Sequence, residues 1–367
     1  MDEARGFARV FRSFRHRDFA VFWSGNFLSN IGTWMQTVAL GWLVLEITDS
    51  AWMVGVNGFV SAAPTLLFTL IGGAIADRVD RRRLMLVMQF GMLALALLLG
   101  TLTLLEKIDL RSILVIAFLS GLAMAINYPA YQALYPELVK EEDLLNAVAL
   151  NSAQFNIARA VGPTVAGLAL GAVGVAACFY LNAVSFLGLI VALLFIRPPQ
   201  FIPHKGGSVW QAMREGFGFV GERRLILLLL SVSGFLSLFG LPFVILMPVF
   251  ARDLLGVGAS GLGYLMGGAG LGASLCAIVL AYIGEPRNKS RTITSSAMTF
   301  SLALVGFSMS GSFWLSFGLL SVLGAAMVGT LAVTNTSIQR LTPPRMRGRV
   351  MSMYNLSLLG LAPLGSL

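Results

Sequence analysis

Apolar residues run along this chain in windows of about 20 residues, the length that crosses a bilayer as a helix, with short polar stretches between them. The windows predict helices over 19–45, 51–75, 84–104, 112–134, 146–171 and 175–196. A polar stretch, 197–224, separates these six from a second set at 225–249, 260–284, 291–310, 313–338 and a last run starting near Val350. Windows this long exceed a strand, and they lack the in–out alternation of an outer-membrane barrel. The pattern therefore predicts an all-α polytopic membrane protein. Its expected parts are a basic tail (1–18), a six-helix half (19–196), a central loop (197–224) and a second half (225–367). Within the central loop, residues 210–217 read as an amphipathic helix lying on the headgroups.

Composition narrows the classes. The chain is 57% hydrophobic and 12% charged, with a mean hydropathy of +0.81; a soluble protein of this size could not bury so much apolar surface. Cys178 and Cys276 both lie inside apolar runs, which suggests neither a disulfide framework nor a metal site. The pI of about 10.1 reflects orientation. Twenty-two Lys and Arg residues fall in the tail and on alternate loops, against three (Lys107, Arg111, Arg252) on the other loops. The positive-inside bias then puts the tail in the cytoplasm, and nucleic acid is not the expected partner.

The second set of windows echoes the first. Gln132-Ala133-Leu134-Tyr135-Pro136 returns 207 residues later as Gln339-Arg340-Leu341-Thr342-Pro343, and Gly162-Pro163 lies opposite Ala362-Pro363. Two parallel six-helix halves form a transporter architecture, and on that register Leu367 falls midway through span eleven. A complete second half calls for about thirty more residues, so the repeat predicts a truncated second half.

The loop between spans two and three organises the rest. Gly72-Gly73-Ala74-Ile75-Ala76-Asp77-Arg78-Val79-Asp80-Arg81-Arg82-Arg83 packs two carboxylates and four arginines into its last seven residues. This Gly, Asp-Arg and basic-cluster pattern resembles the loop 2–3 signature of the major facilitator superfamily. Gly162-Pro163 with Gly167 resembles that superfamily's antiporter motif, although Ala158 and Ala166 stand where glycines are common. The stretch from Pro129 through Arg159 is similar to the enterobactin-exporter-type subfamily of bacterial efflux proteins. The resemblance implies the major facilitator fold. It also implies a gating role for Asp77, with Gly73, Arg78, Arg81 and Arg82 around it; a cation such as Arg81, or a partner helix, would pair with Asp77. Either Arg82 or Arg83 serves chiefly to set topology.

Within the spans, Arg159 is the one clear ionisable residue, and burying it is costly without a cavity or a polar partner. It either binds an anionic substrate group or pairs structurally with Gln154 or Asn151. Asn26, Asn30, Thr33 and Thr37 share a face of span one at helical spacing. Tyr128 and Tyr131 end span four; the resemblance makes spans one and four cavity-lining. Asn and Thr also glue helices together, so cavity and packing stay open alternatives. Gly162, Pro163 and Gly167 are expected to serve a bend or helix packing, and Gly267, Gly268, Gly270 and Gly272 close helix approach. No Asp or Glu lies mid-span, which leaves Asp77, Asp253 or Arg159 to carry any proton coupling. No cofactor is implied.

The leading function is secondary active export of a small amphiphile, siderophore or drug-like, by alternating access, with the protein a monomer in the bilayer. Uptake or lysophospholipid-type transport is an alternative within the same fold. A non-transporting sensor or inactive copy is the alternative from another class. Missing acid pairs, metal clusters and nucleotide loops argue against an enzyme.

Overall fold

A computed structural model describes residues 11–198, 215, 217–284 and 286–367. Most of the segment proposed as an amphipathic helix, 210–217, lies outside these. The first helices are α1 (Arg17–Thr48), α2 (Ala51–Ala76), α3 (Arg81–Leu104), α4 (Leu110–Leu134) and α5 (Leu144–Phe195). Helix α5 carries the windows at 146–171 and 175–196 as two separate arms. It breaks at Gly174, whose φ of 82 and ψ of 174 degrees are open to a residue without Cβ. There follow α6 (Arg224–Phe235), α7 (Pro242–Val249), α8 (Gly258–Ile283), α9 (Lys289–Ser308), α10 (Phe313–Leu341), α11 (Pro344–Gly360) and α12 (Ala362–Gly365). Five-residue π-helical turns, Leu236–Gly240 and Phe250–Leu254, bracket α7.

Seven helical stretches among the described residues are long and apolar enough to cross a membrane, the one over Glu141–Phe195 carrying both arms of α5. Helices α1, α9 and α11 are not among them. For two of them the reason is chemical, since α1 carries Asn26, Ser29, Asn30, Thr33, Gln36 and Thr37 and α9 opens Lys-Ser-Arg-Thr, whereas α11 is short at 17 residues. Helices this polar need protein or water on one side.

Local chemistry sets the helix ends. The Asp80 side chain accepts from Arg83 N at 2.7 Å and caps α3; Asp109 accepts from Ser112 N at 3.0 Å and caps α4, each satisfying an N–H that the first turn leaves unpaired. The Ser112 hydrogen bonds hold the exposed Asp109 carboxyl below its ordinary value. Asn288 caps α9 through Arg291 N.

The chain divides into two compact units, the first comprising 1–40 and 60–206, the second 41–59 and 207–367. In the first, Phe19, Phe22, Met85, Leu134, Leu189 and Leu193 form the buried centre. A Cβ on Gly25 would lie 2.7 Å from Ala192 Cβ, and one on Gly121 would lie 2.2 Å from Ser61 O. Small residues at these positions are what let the helices touch. The turn before α1 is tied to the start of α5. Asp143, almost wholly buried, takes Arg12 Nε at 2.6 Å and His16 Nε2 at 2.8 Å, while Ser13 N donates to Asn146 Oδ1 at 2.9 Å.

In the second unit α8 and α10 meet backbone to backbone. A Cβ on Gly272 would lie 1.7 Å from Ser321 O, and one on Gly324 would lie 2.0 Å from Ala269 O. Around Ile226, Leu230, Ile293, Val350 and Tyr354 the same unit builds its apolar centre. The α1–α2 turn belongs here too. Arg252 donates to Leu45 O at 3.0 Å, pairs with Asp49 and holds Asp253 Oδ1 at 2.5 Å.

Candidate translocation site

The charged loop is built on the end of α2. Asp77 N donates to Gly73 O at 3.0 Å, so the chain leaves the helix with Asp77 and Arg78 exposed. Neither side chain makes a hydrogen bond or ion pair with another described residue. Gly72 is the packing glycine of the pair: a Cβ there would lie 2.4 Å from Ala125 O, whereas Gly73 has open space. Arg81 does not pair with Asp77 but with Glu137, in the 3-10 turn Tyr135–Leu138 that follows α4. Position explains this. Asp77 precedes the turn and points out, whereas Arg81 opens α3, the helix that lies beside α4. Arg82 does more than set topology, donating to Leu193 O at 2.5 Å and Leu194 O at 2.9 Å. Those are orphan carbonyls of the last turn of α5, where a cation also favours the helix dipole. Sequence reasoning missed Glu137, whose signal was an acidic residue between Tyr135-Pro136 and Leu138 at a helix end.

Toward the interior of the first unit, Tyr131 joins three helices. Asn26 Nδ2 donates to its hydroxyl at 3.2 Å, and that hydroxyl donates to Asn151 Oδ1. The Tyr131 ring stacks on Phe22 and lies against Tyr135, each at a centroid distance of 5.6 Å. One turn away, the Tyr128 hydroxyl accepts from Gln132 Nε2 at 2.7 Å. The polar face of α1 separates into roles. Thr33 and Thr37 spend their hydroxyl protons on Ser29 O and Thr33 O of their own helix, at 2.8 and 2.9 Å. Asn26 is committed to Tyr131. Asn30 is half-buried, and its amide has no hydrogen-bond partner among the described residues.

On α5, Gln154 is 1% exposed, and neither amide atom has a hydrogen-bond partner among the described residues. Arg159, half-buried, does not pair with Gln154, whose amide bonds to nothing described. The helix explains why. Gln154 precedes Arg159 by five residues, about 140° away around the axis. Gly162 brings α5 against α1, since a Cβ there would lie 2.5 Å from Trp34 Cβ and 3.0 Å from Ile31 O. Pro163 and Gly167 are buried on the same stretch of α5. On α8, Gly268 lies against Phe317 and Gly272 against Ser321.

Long apolar helices that cross at close glycine contacts make this a polytopic helical membrane fold. Solved structures share that fold. A bacterial homologue of the human lysosomal transporter Spinster, in an inward-facing state, matches with a TM-score of 0.76 at 16% identity, over 96% of this chain and 81% of that one. A bacterial homologue of the iron transporter ferroportin matches with a TM-score of 0.73 at 16% identity, over 95% and 90%. The chain belongs to the transmembrane secretion effector family of the major facilitator superfamily, whose model matches residues 8–367. Its relatives include the staphyloferrin A transporter of Staphylococcus aureus, 26% identical over 94% of this chain and 87% of the relative. Another is the enterobactin exporter EntS of Shigella boydii, 24% identical over 92% and 81%.

Proposed function

We propose that this transporter exports a siderophore-like amphiphile across the bacterial plasma membrane by alternating access, with its N-terminus in the cytoplasm. Its halves would be 19–196 and 225–367, joined by the 197–224 loop. The observation that carries the reading is Gln154, a fully buried amide with no described partner. Such a group is expensive unless something visiting the site bonds to it. Asn30 and Tyr128 add a free amide and a hydroxyl proton in the same unit, and Arg159 supplies positive charge. The relatives' names, a staphyloferrin A transporter and an enterobactin exporter, support the substrate class. Asp77, exposed and without a described partner, is free to pair in another state of the cycle. A pair made in one state and broken in the other biases the equilibrium between them.

The test is transport into inverted vesicles against a siderophore panel, with and without a proton gradient. Gradient-driven accumulation above that of vesicles lacking the protein is expected; equal flux removes the proposal. Asp77→Asn is expected to insert normally and to cut the transport rate. An unchanged rate in that variant would sink the gating role while leaving export intact.

A further inference from the structure

A second polar site lies inside the first unit, separate from the Tyr131 cluster. Thr33 and Gln36 of α1, Met92 of α3, Ser120 and Met124 of α4, and Asn182 and Phe186 of the second arm of α5 line a partly open cavity of about 60 Å³. Each of these residues falls near the middle of its helix, so the cavity sits near mid-bilayer. Its wall is fixed. Asn182, 1% exposed, donates through Nδ2 to Gln36 Oε1 at 2.7 Å, and the Ser185 hydroxyl lies 2.9 Å from Asn182 Oδ1. Gly32 presses α1 onto this pair, where a Cβ would lie 2.2 Å from Ser185 Oγ and 2.4 Å from Asn182 Oδ1.

The hydrogen-bond inventory does not close with protein groups alone. Gln36 keeps both N–H protons without a described partner, Asn182 keeps one, and the Ser120 hydroxyl has none. One turn before Met92 on α3, Gln89 is 2% exposed with an unpartnered Oε1. Asn182 and Gln89 are buried and Gln36 and Ser120 half-buried, and an orphaned polar group at membrane depth is costly unless water reaches it. A cavity of this volume has room for about two waters, and a buried water needs two to four polar partners. The lining mixes amide N–H donors with hydroxyl oxygens. A bare cation would meet the donors' hydrogens, and an anion would find no positive charge.

We propose that this cavity is a built water site that completes the hydrogen bonds of Gln36, Asn182 and Ser120 and so ties α1, α4 and the second arm of α5 together at mid-membrane. Hydroxyl-radical footprinting by X-ray pulse tests it on the purified full chain in nanodiscs, because radicals form from water held beside a residue. Met85 and Met92 lie on one helix and are both buried, at 0% and 7% exposure, but only Met92 lines the cavity. Met92 is expected to oxidise several-fold faster than Met85, at the same rate in sodium and potassium buffers. Ser120→Val is expected to slow Met92 oxidation. Equal rates at Met85 and Met92 would mean a dry cavity and overturn the proposal, whatever the variant does. Labelling at Met92 that sodium suppresses would replace the water site by a cation site.

Discussion

Replacing Tyr131 with Phe removes one oxygen and keeps the ring. Stacking on Phe22 and contact with Tyr135, both at 5.6 Å, stay in place, so little packing is lost. What goes is a hydroxyl that accepts from Asn26 and donates to Asn151. Asn26 is buried, so its amide gains no water in exchange. Orphaning a buried polar group costs about 1–3 kcal/mol. Within membranes, interhelical hydrogen bonds average about 0.6 kcal/mol. Two such bonds put Tyr131→Phe at about 1–2 kcal/mol of destabilisation, measurable as a lowered unfolding midpoint in detergent. Transport per folded molecule is expected to hold, because the hydroxyl is spent on the fold. In a double-mutant cycle with Asn151→Ala, the second change is expected to add less than it costs alone. An unchanged midpoint with a sharp loss of transport would refute this, making Tyr131 a substrate ligand and its hydrogen bonds incidental.

Arg81→Gln and Glu137→Gln should each lower the unfolding midpoint by an amount equivalent to about 1 kcal/mol, and the double variant should cost little more than either. Strictly additive losses would show that the pair does not interact. Gly272→Val places a side chain where Cβ alone lies 1.7 Å from Ser321 O, so it should cost about 3 kcal/mol or more and abolish the monodisperse peak on size exclusion. A normal yield would mean that α8 and α10 separate freely. Gln154→Leu should hold or raise the midpoint, since it removes an unpaired buried amide, yet reduce transport in vesicles. A large drop in stability would place Gln154 in the packing and remove it from the site.

Most helix positions were legible in the sequence because most spans are apolar over nearly their full length, whatever they pack against; α1 and α9 are polar exceptions. The break between the two arms of α5 was legible as well, since one apolar window ends at 171, the next begins at 175, and Gly174 takes the non-helical backbone between them. Pairing across helices was harder. Arg81 and Asp77 are neighbours along the chain, so they invited a local pair, but α3 turns Arg81 toward Glu137, 56 residues away. Arg82 looked like one more topogenic charge; its carbonyl partners at Leu193 and Leu194 belong to a helix end that a hydropathy plot places only to within several residues. The Gln36–Asn182 pair was visible only as two amides in apolar windows 146 residues apart.

Hydrogen-bond accounting separates residues that the polarity of the sequence treats alike. Asn26, Asn30, Thr33 and Thr37 share one face of α1, and polarity alone makes all four candidates for a cavity. Three of them are already occupied: Asn26 by Tyr131, and the two threonines by carbonyls one turn back. A committed donor can serve a substrate only by breaking a bond that holds the bundle, which raises the cost of binding by the value of that bond. Asn30 and Gln154 carry no such cost among the described residues, so on the proposed reading a visiting polar group would gain a full hydrogen bond there. Gly162, at the α1–α5 crossing, holds these two helices at backbone distance. A movement that changes that crossing would therefore shift Asn30 and Gln154 together, while the Tyr131 junction travels with the bundle as a fixed part. On the proposed export reading, substrate recognition in the first unit would fall on residues that the fold leaves unpaired.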